Sequence, residues 1–174
     1  LFTIPVIGGT TRQISNIKPE KSAGQAQWVG NNKVVFSANL NDDSDYNTNN
    51  SEIYILELDS GKHKPLTSRN GPDFSPKVSH DNSLIAYLGY DDEYLGYQQN
   101  SIYVMKPDGS KKIKIQLDLD RNISNIYWSG DNKRIFFQFD DEGLTKIGST
   151  TLDGKFETVV DQVGGLSFSR PYSG

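Results

Sequence analysis

Three observations predict an all-β chain of β-propeller blades, four antiparallel strands to a blade, with about three and a half blades in the sequence. An aromatic or apolar residue, a short polar turn and a β-rich apolar run recur three times: Trp28 to Phe36, Val78 to Tyr87 and Trp128 to Phe137. Each copy is followed by a strand entering a Gly-containing turn: Ile53 to Gly61, Ile102 to Gly109 and Thr151 to Gly154. Leu1 to Gly9 is a fourth copy of the second pattern alone, and the turn glycines Gly9, Gly61, Gly109 and Gly154 lie 52, 48 and 45 residues apart. That period suits one blade per repeat, and no 3.6-residue apolar period is sustained over about ten residues to argue for helix.

Local chemistry places the strands. Asp-Asn, Asn-Asn and Asp-Gly tolerate the positive φ of tight hairpin turns. The runs after those turns, such as Val34, Val35 and Phe36 or Ile135, Phe136 and Phe137, are β-branched and aromatic. Lettering strands a to d outward from the channel, Trp28, Val78 and Trp128 lie on strand a. Strand b covers 34–38, 84–88 and 134–139, strand c 53–58, 102–106 and 145–151, and strand d 63–67, 112–117 and 156–160. The organisation is a half blade over 1–15, blades over 26–68, 75–117 and 126–160, and a loop over 163–174 leading towards a further blade. Trp28 and Trp128 are expected at equivalent inner-strand positions. A propeller closes with roughly 4 to 8 blades, so the chain is expected to be a piece of a longer protein, its natural N-terminus missing because it starts at Leu1.

Composition excludes several functions. A net charge of −4 and pI near 5.1 disfavour a nucleic-acid groove or an anionic membrane as partner. No apolar stretch approaches the roughly 20 residues that span a bilayer. With no cysteine, thiol catalysis, Cys-based zinc and disulfides are excluded, and cytoplasm and periplasm stay equally open. No cofactor is expected.

Up-and-down strands put the a–b and c–d turns on one face and the b–c and d–a connections on the other. Every long insertion falls on the second: 39–51, 90–100 and 163–174. Long loops gathered on one face of a rigid scaffold are the default functional surface. Within them, Asn41 to Glu52 carries oxygen ligands at EF-hand spacing, which makes Asp43, Asp45 and Glu52 a calcium candidate. Tyr46 stands where that loop needs Gly and the flanks are strands, so a solvated polar loop is the preferred reading. Tyr90, Asp91, Asp92, Glu93, Tyr94 and Tyr97 offer carboxylates and aromatic faces for a cation or a peptide amine, against a preferred reading of a loop packed by its own tyrosines. Arg170 and Tyr172 sit in the last d–a loop, where Arg170 is suited either to bidentate carboxylate capture or to a surface ion pair. His63 and His80, the only histidines, are read as structural or exposed rather than as metal ligands. Catalytic residues are not expected: no phosphate-binding glycine loop is present, and Gly165 to Ser169 lacks the second glycine of a nucleophile elbow.

Longer stretches resemble known proteins. Ser75 to Tyr87 with Ile102 to Gly109 resembles the TolB-type propeller repeat. Leu84 to Asp92, Tyr97 and Gln98, Ile135 to Asp141 and Arg170 to Gly174 resemble bacterial serine peptidases of the prolyl oligopeptidase family, the acylaminoacyl-peptidase and dipeptidyl-peptidase-like members in particular. The resemblance implies a C-terminal α/β-hydrolase domain as partner, bearing a Ser-Asp-His triad, with the propeller gating access and positioning the peptide substrate. Arg170, Tyr172, Tyr90, Asp91, Asp92 and Glu93 are then the substrate-facing candidates, and no triad residue maps onto this chain. The alternative is a TolB-like propeller that serves as a protein-interaction module, and a propeller that is itself a sugar lyase is the third.

Overall fold

The computed structural model describes residues 1–18, 21 and 23–163, and among these there is no helix. A two-stranded sheet pairs β1 (Phe2–Thr3) with β2 (Arg12–Gln13). Three four-stranded sheets follow, each in sequence order. The first holds β3 (Ala23–Val29), β4 (Lys33–Ala38), β5 (Glu52–Glu57) and β6 (His63–Pro65). The second holds β7 (Asp73–Val78), β8 (Ile85–Gly89), β9 (Ser101–Met105) and β10 (Ile113–Lys114). The third holds β11 (Ile123–Trp128), β12 (Arg134–Asp141), β13 (Leu144–Thr151) and β14 (Phe156–Val160). All pairings are antiparallel, and β7 lies against both β3 and β11. This is the blade arrangement of an incomplete propeller.

Period-2 alternation lets each strand serve two interfaces. Val34 and Phe36 of β4 face the two-stranded sheet with Ile14, while Val35 meets Ile85, Tyr87 and Met105 of the second blade. Ala86 and Leu88 of β8 then meet Ile135, Phe137 and Phe139 of the third. Sandwiched on both faces, β8 is buried throughout, whereas β12 buries only alternate residues. Ring stacking across strands b and c recurs as Phe36 on Tyr54 and Tyr87 on Tyr103. In the third blade Gly148 stands opposite Phe137, and Phe156 of β14 supplies the stacked ring instead. A Cβ on Gly148 would lie 2.7 Å from that ring, which explains why only glycine fits there.

Each a–b pair also carries a bulge, between Gly24 and Gln27, Phe74 and Lys77, and Ser124 and Tyr127. The extra residues Gln25, Ser75 and Asn125 all have positive φ, at 55°, 52° and 49°. Their spacing of 50 residues marks one device copied from blade to blade.

Trp28 and Trp128 occupy matching registers, opposite Val34 and Ile135, on first strands of blades separated by one. Their surroundings differ. Trp128 is 8% exposed and Trp28 52%. The Trp128 indole N–H donates to the Lys77 carbonyl on β7, at 2.8 Å. We expect Trp128→Phe to lower unfolding stability by about 1 kcal/mol, the worth of that bond, and Trp28→Phe to change it by less than about 0.5 kcal/mol. Urea denaturation of the full-length protein compares them, and equal losses would contradict the structural difference.

Candidate functional site on the long-loop face

The b–c loops 39–51 and 90–100 and the d–a loop 66–72 lie side by side because backbone and amide groups lace them together. Asp92 N–H donates to the Asn70 carbonyl at 2.8 Å, and Asp73 N–H to the Ser51 carbonyl at 2.7 Å. Asn49 Nδ2 donates to the Tyr90 hydroxyl at 2.8 Å and to the Asp92 carboxylate at 3.3 Å. Gly71 N–H donates to Asn50 Oδ1 at 3.0 Å. The third blade contributes no long b–c loop: Glu142 and Gly143, both at positive φ, close β12 onto β13 in a tight hairpin.

This lacing assigns the sequence candidates different positions. Asp92 is a knot, its carboxylate accepting from Gln98 Nε2 at 2.7 Å and Tyr94 N–H at 2.8 Å. Those bonds hold it below the usual carboxylate range. Tyr90 is half-buried, whereas Asp91 and Glu93 are exposed. Tyr94 and Tyr97 are exposed too, Tyr94 at 80%, as is Tyr46 of the neighbouring loop at 95%. The expectation of a loop packed by its own tyrosines is therefore corrected. Hydrogen bonds from Gln98, Asn49 and Asn70 hold the loop together, and those three tyrosine rings point outward.

The calcium candidate does not assemble. Asp43 and Asp45 are exposed in a turn closed by Tyr46 and Asn47 N–H donating to the Asp43 carbonyl. Glu52 is the first residue of β5 and only 5% exposed. Among the described residues, no three His, Asp or Glu side chains stand where they could share a metal ion. His63 packs edge-on to Phe36 and Tyr54, and His80 is exposed in the a–b turn of the second blade. Arg170 and Tyr172 lie outside the described residues.

The two long loops form an acidic, aromatic rim. Asp42, Asp43 and Asp45 on one and Asp91, Asp92 and Glu93 on the other have no Lys or Arg within their loops, and among the described residues only Asp91 of the six meets a cation, Arg69 of the d–a loop at 3.7 Å. Exposed tyrosine faces beside carboxylates attract ammonium groups by charge and by the ring quadrupole.

Beneath the rim lies a cluster that sequence reasoning missed. Arg69 from the d–a loop donates through Nε and Nη2 to the Asp73 carboxylate and stacks its guanidinium 3.8 Å above the Tyr103 ring. Asp73 is 1% exposed, and burial pushes its carboxyl up despite the opposing pull of Arg69. Burial lowers Arg69, but the hydrogen bond and charge of Asp73 outweigh it and raise the guanidinium. Thr67, Glu52 and Tyr87 complete the cluster. Its one advance signal is an arginine four residues before an aspartate in a Gly-Pro loop, which is commonplace on surfaces.

No family model matches the sequence. It is similar to dipeptidyl-peptidase 5 of Porphyromonas gingivalis, 31% identical over 106 residues, covering 59% of this chain and 15% of that protein. The fold is similar to that of a Mycobacterium tuberculosis puromycin-hydrolyzing peptidase, with a TM-score of 0.66 and 11% identity, covering 91% of this chain and 27% of that one. TolB from Acinetobacter baumannii superposes with a TM-score of 0.57 and 15% identity, over 84% of this chain and 33% of that one. The chain thus spans a small part of the peptidases it matches, and its architecture is the propeller they share with TolB.

Proposed function

We propose that this chain is part of the propeller domain of a serine peptidase of the prolyl oligopeptidase family. In this reading its long-loop face meets an α/β-hydrolase domain, gates access and positions the peptide substrate. The family assignment rests on the 31% identity to dipeptidyl-peptidase 5, supported by the resemblances carried by Leu84 to Asp92 and Ile135 to Asp141. The role rests on one observation: the long loops are laced together on one face and present Asp91, Glu93 and the exposed Tyr46, Tyr94 and Tyr97 there. That surface suits the amino terminus of a peptide, while Arg170 and Tyr172 are proposed to face the same substrate. Bond cleavage is assigned to the hydrolase domain, where a histidine would activate the serine.

In the full-length protein, the double variant Asp91→Asn, Glu93→Gln is expected to raise KM for substrates with a free amino terminus about tenfold, as loss of a charge-assisted contact does. kcat should hold, and N-acylated substrates should be unaffected. Unchanged KM for both substrate types would remove these carboxylates from the site. The TolB likeness favours one second reading, a protein-interaction propeller without hydrolysis. A fluorophosphonate probe separates the two: labelling of a serine outside this chain supports the peptidase, and a full-length protein that neither labels nor hydrolyses dipeptidyl substrates supports the interaction module.

A further inference from the structure

Among the described residues, eight other than glycine hold a positive φ. The fold accounts for seven of them. Gln25, Ser75 and Asn125 are the a–b bulges, and Asn82, Lys111, Asn132 and Glu142 sit in the hairpin connections between paired strands. Tyr94, at 58°, is the eighth and the only aromatic among them. That region of backbone is strained for a bulky side chain, and Gly or Asn would serve the turn more easily. The loop nevertheless holds Tyr94 there. Its N–H donates to Asp92 Oδ1 at 2.8 Å, Gln98 Nε2 donates to the same oxygen at 2.7 Å, and the adjoining Glu93 N–H donates to Gln98 Oε1 at 2.7 Å. From the d–a loop, Asn70 Nδ2 reaches the Tyr94 hydroxyl at 3.5 Å. The result is a ring displayed to water: Tyr94 is 80% exposed, and beside it Leu95 and Tyr97 are 59% and 67% exposed. A ring so exposed gives the fold little packing in return for its strain, and strain of this kind points to a role outside the fold. Apolar side chains gathered on a surface mark a contact site, and the exposed Glu93 carboxylate stands one residue away.

We propose that Tyr94 is a specificity-determining residue that stacks on an aromatic side chain of the peptide while Glu93 and Asp91 hold that peptide's amino terminus. This rests on the substrate-positioning role given above to the long-loop face, and adds to it a preference for an aromatic first residue. Because Glu93 and Tyr94 are neighbours in the chain, the side chain that meets the ring is the one next to the captured ammonium. Offset stacking needs an open ring face, which Tyr94 offers, and Leu95 and Tyr97 extend the apolar bed. A ring fixed before the peptide arrives loses little freedom on binding, which gives the strained backbone its purpose.

Calorimetry on the full-length protein tests this without requiring hydrolysis. The probes are phenylalanyl-alanine amide and glycyl-alanine amide, and the parent is expected to bind the first about tenfold more tightly. Tyr94→Gly should bring the two affinities within about twofold of each other. Its melting temperature should be no lower than the parent's, since glycine takes this backbone freely. Tyr94→Phe should keep the preference. Asp91→Asn with Glu93→Gln should weaken both dipeptides and leave their ratio unchanged, which separates the ring from the carboxylates. A preference that survives Tyr94→Gly overturns the proposal and leaves the substrate-facing role of the loops intact, and a lowered melting temperature alongside it identifies a tyrosine that serves the fold alone. A parent that binds neither dipeptide overturns both the proposal and that role.

Discussion

Asp73→Ala is expected to destabilise the protein by about 3 kcal/mol, since it strands a largely buried guanidinium without its partner. Arg69 cannot easily escape to water: its face is pinned on Tyr103 at 3.8 Å, and its side chain is only 18% exposed. Asp91, whose carboxylate is 3.7 Å from Nη1, recovers part of the loss, which holds the expected effect at the lower end of the range for broken buried pairs. Removing both partners should hurt less than removing one. Arg69→Met with Asp73→Asn is expected to lie closer to the parent than Asp73→Ala alone, because no charge is then left buried. Gly89→Ala attacks the same pair from the other strand. A Cβ there would lie 2.6 Å from both Arg69 Nη2 and the Pro72 carbonyl oxygen, so the loop and the pair must shift together. Guanidinium denaturation of the three variants beside the parent measures this. If Asp73→Ala and the double replacement lose equal stability, the pair does not act as a unit.

The arrangement of blades was legible in the sequence, and the polar groups between them were not, for a physical reason. A blade strand advertises itself through local chemistry. Asp131 and Asn132 close a hairpin, Ile135, Phe137 and Phe139 alternate, and both signals sit within ten residues of each other. Arg69, Tyr103 and Glu52 belong to three different elements and meet only because two blades stack, so no local pattern announces them. Glu52 shows the difficulty most clearly. By spacing it looked like the last oxygen ligand of a loop, yet pairing with Ala38 makes it the first residue of a buried strand. The bulges were missed because Gln25, Ser75 and Asn125 are not glycines, and only their 50-residue spacing marks them. The outer strands β6 and β10 are shorter than the 63–67 and 112–117 expected. Past Pro65 and Lys114 a single further bond, from Leu66 to Ile53 and from Ile115 to Ile102, continues each ladder before the chain leaves for the next blade.

Glu52 should give the protein an unusual loss of stability as pH rises towards neutrality. Its carboxyl is pushed up to about 7, first by burial and further by the charge of Asp73, with the Thr67 hydroxyl, Arg69 and Lys112 opposing. One carboxylate oxygen, Oε2, is buried with no hydrogen-bond partner. In the unfolded chain the group titrates near 4.5, so between about 4.5 and 7 the folded state holds more protons than the unfolded one. Stability then falls with rising pH across that window and levels off above it, by up to about 3 kcal/mol. The hydrogen-bonded carboxylates Asp81, Asp92, Asp108, Asp131, Asp141 and Asp153 are all held below their usual range. Their contribution is fully present above the ordinary carboxylate value and is lost only as the medium becomes more acid, so it does not mask the Glu52 window. Asp73, raised like Glu52, slopes the same way. Glu52→Gln cannot ionise, so it should flatten most of the decline between pH 5 and pH 8 and be the more stable protein at the upper end. Urea titrations of parent and variant at both ends of that range measure the slope. A parent curve that rises across the window, or a variant that declines as steeply as the parent, would mean that Glu52 stays ionised in the folded protein.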